Sequence, residues 1–187
     1  MKKLIGVALV LVLGGCVSYS KSITREAASS NQSAYLYGIF KIDAPKAWLG
    51  MQGHQSMGFV FTCADKKQYT IGFKIENPLQ VIEVTPSTCS LSKIVYVDAD
   101  GMILQERNIP AGVFSERVFT AGKAYYLGDY FAKSETTNNF MSSLTTWKIV
   151  DSKDNYIQTT QQMQTIFPNF RAFVTVPMPV MPTDSYN

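Results

Sequence analysis

Catalytic or metal chemistry in this chain of 187 residues would have to come from one histidine, three cysteines and 14 acidic side chains. His54 stands in the Gly-rich stretch "LGMQGHQSMG" (49–58), where a lone imidazole reads as a solvated loop side chain. Serines are plentiful, but none sits in a Gly-x-Ser-x-Gly elbow that would expose a nucleophile. Asp98, Asp100 and Gly101 resemble half of a calcium loop. Ile109 stands where the terminal bidentate Glu would be needed, so Asp-Gly is read as a turn. Cys63 and Cys89, 26 positions apart and with a single His in the chain, do not make a zinc ligand set. Glu135 is isolated, and paired carboxylates need a cleft that a sequence does not locate. No catalytic residue, metal ligand or cofactor is therefore assigned.

The N-terminus says more. Lys2 and Lys3 precede an apolar run from Leu4 to Leu13, broken only by Gly6. At about ten residues the run is half of what spans a bilayer, so it reads as the core of a secretory signal. It ends in Leu13-Gly14-Gly15-Cys16. That tetrapeptide resembles the lipobox of bacterial lipoproteins. The resemblance implies a diacylglycerol on the Cys16 sulfur, cleavage just before Cys16 and acylation of the new amino group. Several acyl chains give stable anchoring where one gives marginal binding. Val17 stands where an Asp would resemble an inner-membrane retention signal, so the expected location is the outer membrane, with the domain in the periplasm or on the cell surface.

With Cys16 lipidated, Cys63 and Cys89 are the cysteines left, and an oxidising compartment invites their pairing. The bond would close a loop of about 25 residues, worth roughly 3 kcal/mol on a chain-entropy model. Without Lys2 and Lys3 the charge balance is 15 Lys and Arg against 14 Asp and Glu, which gives no electrostatic case for nucleic acid. The anchor implies a membrane as one partner.

Apolar residues make up 46% of the chain and charged residues 17%, which excludes a disordered protein. Ten Tyr and eleven Phe, with many β-branched residues, favour strands. Residues 17–33, with six Ser and little apolar content, read as a flexible tether. Strand candidates then recur: "AYLYGIFKI" (34–42), which alternates poorly, "GFVFTC" (58–63) and "QYTIGFKI" (68–75) about an Ala64–Lys67 turn, "LQVIEVT" (79–85), "SKIVYVD" (92–98), "MILQERNI" (102–109), "GVFSERVFT" (112–120), "KAYYLGDYF" (123–131), "LTTWKIV" (144–150) and "RAFVTVPM" (171–178). "TTNNF" (136–140) reads as a polar loop. Tyr156, Thr160, Met163 and Phe167 recur at helical spacing; Asp151, Ser152 or Asp154 would cap that helix and Pro168 would end it. Pro177, Pro179 and Pro182 make the C-terminal stretch extended, either a frayed end or a Met/Pro segment for a partner.

The strings "FTAGKAYYLGDYF" and "DNYIQTTQQMQTIFPNF" resemble a pattern in small bacterial envelope lipoproteins built as β-sandwiches without a known reaction. The resemblance implies fold and location and brings no catalytic residues. The expected organisation is a signal peptide (1–15), a lipidated Cys and tether (16–33), an antiparallel β-sandwich of about eight to ten strands with one C-terminal helix (34–178), and a Pro-rich tail (179–187). The expected function is non-catalytic binding of a protein partner in the envelope, with Trp48, His54 and Phe140 as candidate contacts. Two alternatives are an inhibitor or immunity-type lipoprotein using "WLGMQGHQSMG" as a protruding loop, and a small-ligand binder or enzyme with a deep polar pocket. Replacement of Cys16 by Ala is expected to move the protein from the membrane to the soluble fraction; retention in the membrane fraction would refute the anchor.

Overall fold

A computed structural model describes residues 20–44, 56–97, 103–110, 116–139 and 142–183. Among them are ten strands and one α-helix: β1 (Ala34–Asp43), β2 (Ser56–Cys63), β3 (Gln68–Gly72), β4 (Leu79–Val84), β5 (Ser87–Val97), β6 (Ile103–Asn108), β7 (Arg117–Phe119), β8 (Lys123–Asn139), β9 (Ser142–Lys153), α1 (Tyr156–Ile166) and β10 (Val174–Pro177). They form two sheets. The first has the order β10-β8-β1-β4, with β9 also on β8; the second has the order β3-β2-β5-β6, with β7 also on β5. The mainly β sandwich with one helix is as the composition and turn spacing indicate. Pairing in the second sheet is antiparallel throughout. In the first sheet β8 runs parallel to both β1 and β10, so that sheet is mixed.

The poor alternation of "AYLYGIFKI" has a plain cause. Leu36, Phe40 and Ile42 face the second sheet, whereas Tyr35 and Tyr37 face a separate cluster with Met163, Phe167, Phe170 and Phe173. β1 is thus buried on both faces, and a strand so placed reads as a continuous apolar run. Between the sheets, Phe40, Phe59, Phe73 and Tyr130 pack ring against ring, with centroids from 5.1 Å (Phe59–Tyr130) to 5.9 Å (Phe40–Phe59). Cys63 and Cys89 face each other on β2 and β5 and are joined in a disulfide.

α1 lies over the other face of the first sheet. Thr159 and Met163 are its buried residues, and Phe167 follows at the C-cap. The N-cap is Asn155, with no side-chain cap bond, and not one of the three expected residues: Asp151 and Ser152 belong to β9, and Asp154 precedes the cap and accepts from Tyr156 N at 3.2 Å. Pro168 ends the helix and opens a 3₁₀ turn, Pro168–Phe170.

Three segments depart from expectation. Residues 20–33 are docked on the domain: Ser20 N donates to Thr70 O (2.9 Å) and Ile23 N donates to Val81 O (2.8 Å). The expected flexible tether over 16–33 therefore does not extend past Ser20, because the serines satisfy strand-edge groups instead of water. The C-terminal stretch is neither frayed nor a free segment as far as Thr183. Met178 N donates to Tyr126 O (2.9 Å), and Met178 and Met181 are buried in the inter-sheet core. Pro177 closes the edge strand β10, and Pro179 and Pro182 follow it past the ladder, where no backbone donor is needed. Finally, "TTNN" continues β8 to Asn139, where it pairs with β9 as a two-stranded ribbon.

β1 and β8 meet at a bulge. Tyr37 pairs with Tyr126 and Ile39 with Asp129, so two steps on β1 match three on β8. Gly128 takes φ +120°, and a Cβ added to Gly38 would lie 2.3 Å from Gly128 O. The approach is backbone on backbone, and no rotamer change relieves it. Gly38→Ala is expected to cost about 1–3 kcal/mol or more, on the scale of overpacked cores, read as a lower urea midpoint in equilibrium unfolding.

Candidate functional site

The bulge turns Asp129 toward α1. Its carboxylate accepts hydrogen bonds from Thr159 Oγ1 (2.9 and 3.1 Å), Asn155 Nδ2 (3.0 Å) and Ile39 N (3.3 Å). Beside it, Tyr126 OH accepts from Asn155 N at 2.9 Å and donates to Lys153 O at 3.2 Å. Tyr37 OH bonds Thr160 Oγ1 at 2.7 Å, and Tyr156 OH bonds Thr175 Oγ1 at 2.6 Å. Burial pushes the Tyr37 phenol well above its ordinary value, against the opposing effect of the Thr160 bond. Burial does the same for Tyr126, assisted by the charge of Asp129 and opposed by the Asn155 bond. Such phenols keep their protons at neutral pH, and the carboxylate's acceptors are taken up by protein donors. The cluster is the polar fastening of α1 to the sheet.

Asp129 and its partners were not singled out as a unit by sequence reasoning. The available signal was an Asp set among tyrosines in a strand, "YYLGDYF", a local conflict that a buried partner set resolves. Among the described residues, no group of three or more His, Cys, Asp or Glu side chains could hold a metal ion. A shallow surface pocket of about 380 Å³ is lined by Val150, Asp151, Ser152, Asp154, Val180, Pro182 and Thr183. Asp151 there is already paired with Lys153 at 2.9 Å.

A second feature lies at one end of the sandwich. Ser56 pairs with Val97 and Gly58 with Gly72, so β2 begins where β3 and β5 finish. Lys74 N donates to Phe40 O (2.8 Å) and Ile42 N to Lys74 O (3.1 Å), which places the close of β1 at the same end. Four connections therefore leave from this end: β1 to β2, β3 to β4, β5 to β6 and β8 to β9. The β8–β9 ribbon goes farther. The last β1 pair is Asp43 with Lys133, whereas β8 and β9 pair on to Asn139 and Ser142. Six more residues at strand rise make an arm of about 20 Å. Its base leans on the second sheet: Trp147 stacks on Tyr96 (centroids 5.8 Å) and Tyr96 OH bonds Ser134 Oγ at 3.3 Å. Among the described residues, the buried Trp147 Nε1 has no acceptor.

Of the residues expected to carry function, Cys16, Trp48, His54 and Phe140 lie outside the described residues. Trp48 and His54 belong to the β1–β2 connection and Phe140 follows the last residue of β8, so all three belong to connections that leave from this end. Cys63 and Cys89 are brought together and bonded. No helix among the described residues is long and apolar enough to cross a membrane. Comparison with family models, curated proteins and solved structures returns no match.

Folding favours the neutral forms of Tyr37 and Tyr126, and their folded values exceed the unfolded value near 10. The contribution is whole below about pH 10 and is lost as pH rises above it, because only the unfolded chain then releases the protons. The urea midpoint of unfolding is expected to fall steadily above about pH 10, and Tyr37→Phe should make that alkaline decline shallower.

Proposed function

We propose that this protein is an outer-membrane-anchored lipoprotein whose β domain does no catalysis and binds a protein partner in the envelope through the arm end. The observation that carries the reading is the β8–β9 ribbon, which runs past the sheet at the end where the connections gather. Loops clustered at one end of a rigid sandwich are a common way for such folds to present a binding surface. Among the described strands, none pairs with the outer edge of 134–139 or of 142–147. A ribbon with two open edges suits a partner that adds a strand, with backbone bonds supplying affinity. The arm sequence "TTNN" and "SSLTT" is uncharged and rich in hydroxyl and amide groups, which suits hydrogen bonding over charge pairing. Trp48 and Phe140, as apolar side chains, and His54, as a polar one, are the contacts expected from the sequence.

Site-specific photocrosslinking in intact cells tests this. A crosslinker at Thr137 or Phe140 is expected to give one discrete envelope-protein adduct, and a crosslinker at Ala64, in the turn at the opposite end, none. Adducts of equal yield from both ends, or none from the arm, would defeat the proposal.

A further inference from the structure

The strap from Ser20 to Ser33 covers edges of both sheets. On β3, the outer strand of the second sheet, Ser20 N donates to Thr70 O (2.9 Å) and Ser20 Oγ accepts from Thr70 N (3.0 Å). On β4, the outer strand of the first sheet, Ser22 Oγ accepts from Val81 N (3.2 Å) and Ile23 N donates to Val81 O (2.8 Å). Ile23 also packs against the aromatic cluster beneath α1. Farther on, Asn169 Nδ2 donates to Ala27 O (3.0 Å), Ser33 Oγ bonds Glu83, and Gly122 N donates to Ser33 O (2.9 Å). These bonds span the whole segment, so it is part of the domain.

We infer that in the lipidated protein this strap holds the β3–β4 side of the sandwich against the bilayer, in contact with lipid headgroups. The inference rests on the reading of Cys16 as the anchor. From Cys16 to Ser20 is four steps of chain, which reach about 14 Å when fully extended. A free tether from Cys16 to Ser33 would reach about 60 Å. A domain of this size has a radius of gyration near 15 Å, hence a diameter of about 40 Å. A reach well under that diameter keeps the side from which Ser20 emerges next to the membrane and denies the far side access to it. The strap offers the headgroups exposed Lys21 and Arg25 against one acid, Glu26, and such cations suit an anionic surface.

The test uses the mature lipidated chain in phosphatidylethanolamine/phosphatidylglycerol vesicles carrying a headgroup-linked quencher. With Cys16 acylated and Cys63 and Cys89 bonded, one added thiol is labelled alone: Gln68→Cys on β3, or Lys148→Cys on β9 across the first sheet. The label at position 68 is expected to be strongly quenched and that at 148 hardly at all. A flexible Gly-Ser insertion of about ten residues after Val17 should abolish the difference while leaving the protein on the vesicles. Ile23→Pro, which removes the bond to Val81, should reduce it. Equal quenching at both positions, or a difference that survives the insertion, would overturn this inference alone. A chain with Cys16 intact that fails to sediment with cell membranes would overturn the anchor, and the inference with it.

Discussion

The parallel contact of β1 with β8 is the constraint from which most of the structure follows. Two strands far apart in the chain lie side by side in the middle of the first sheet, and Gly38 and Gly128 meet backbone to backbone. The extra residue on β8 changes the phase of everything after it. Before the bulge, Tyr125 and Leu127 face the second sheet; after it, Tyr130 and Ala132 do. That shift aims Asp129 at the helix and Tyr130 at Phe40 and Phe59. Without it, an ionisable group would enter an aromatic core and Tyr130 would leave that core. A bulge in a parallel pair is uncommon, and its effect here is to serve two packing layers at once.

Both sides of the sandwich are closed by segments with weak strand character. On one side the Ser-rich strap bonds β3 and β4 together. On the other, the chain after β10 leaves the sheet and sends Met178 and Met181 between the layers, while Met181 N donates to Tyr130 OH at 3.2 Å. Open edges invite pairing with foreign strands, and covering them is a common protection. The disulfide adds a covalent tie between β2 and β5, of the order of 3 kcal/mol for a loop of this length.

Elements whose pattern follows from one buried face were legible in the sequence. The helix was visible because Tyr156, Met163 and Phe167 repeat at its period, and the β2–β3 hairpin because its turn is polar and short. The cysteine pairing was expected from two remaining cysteines in an expected oxidising compartment, and the two are bonded. Parallel pairing was not legible, because β1 has both faces buried and so shows no alternation. The ribbon beyond Lys133 was hidden for the opposite reason: "SETTNN" has no apolar face to repeat, and its strand form depends on pairing with β9. Docking of the strap was equally hidden. Ser20, Ser22 and Ser33 act through backbone and hydroxyl bonds, which leave the composition of a disordered tether unchanged. The Asp129 fastening depends on residues from β1, β8 and α1 that only the fold brings together.

Strand direction links the strap to the arm. A sandwich lying on its β3–β4 side has its strands running along the bilayer, since edge strands parallel the surface they rest on. The β8–β9 ribbon continues that direction, so in this orientation it would extend along the membrane and not away from it. A partner engaging the arm would then be met laterally, at a height set by the width of the first sheet. From β4 through β1 and β8 to β9 is three strand spacings, about 14 Å. With Cys16 as the anchor, such a geometry would favour a membrane-resident partner over one suspended in the periplasm, because four steps of chain to Ser20 would give the domain no means of rising to meet it. It would also make association between two membrane-bound molecules a search over a surface, where an arm held at a fixed height costs less orientational freedom than a tethered domain would.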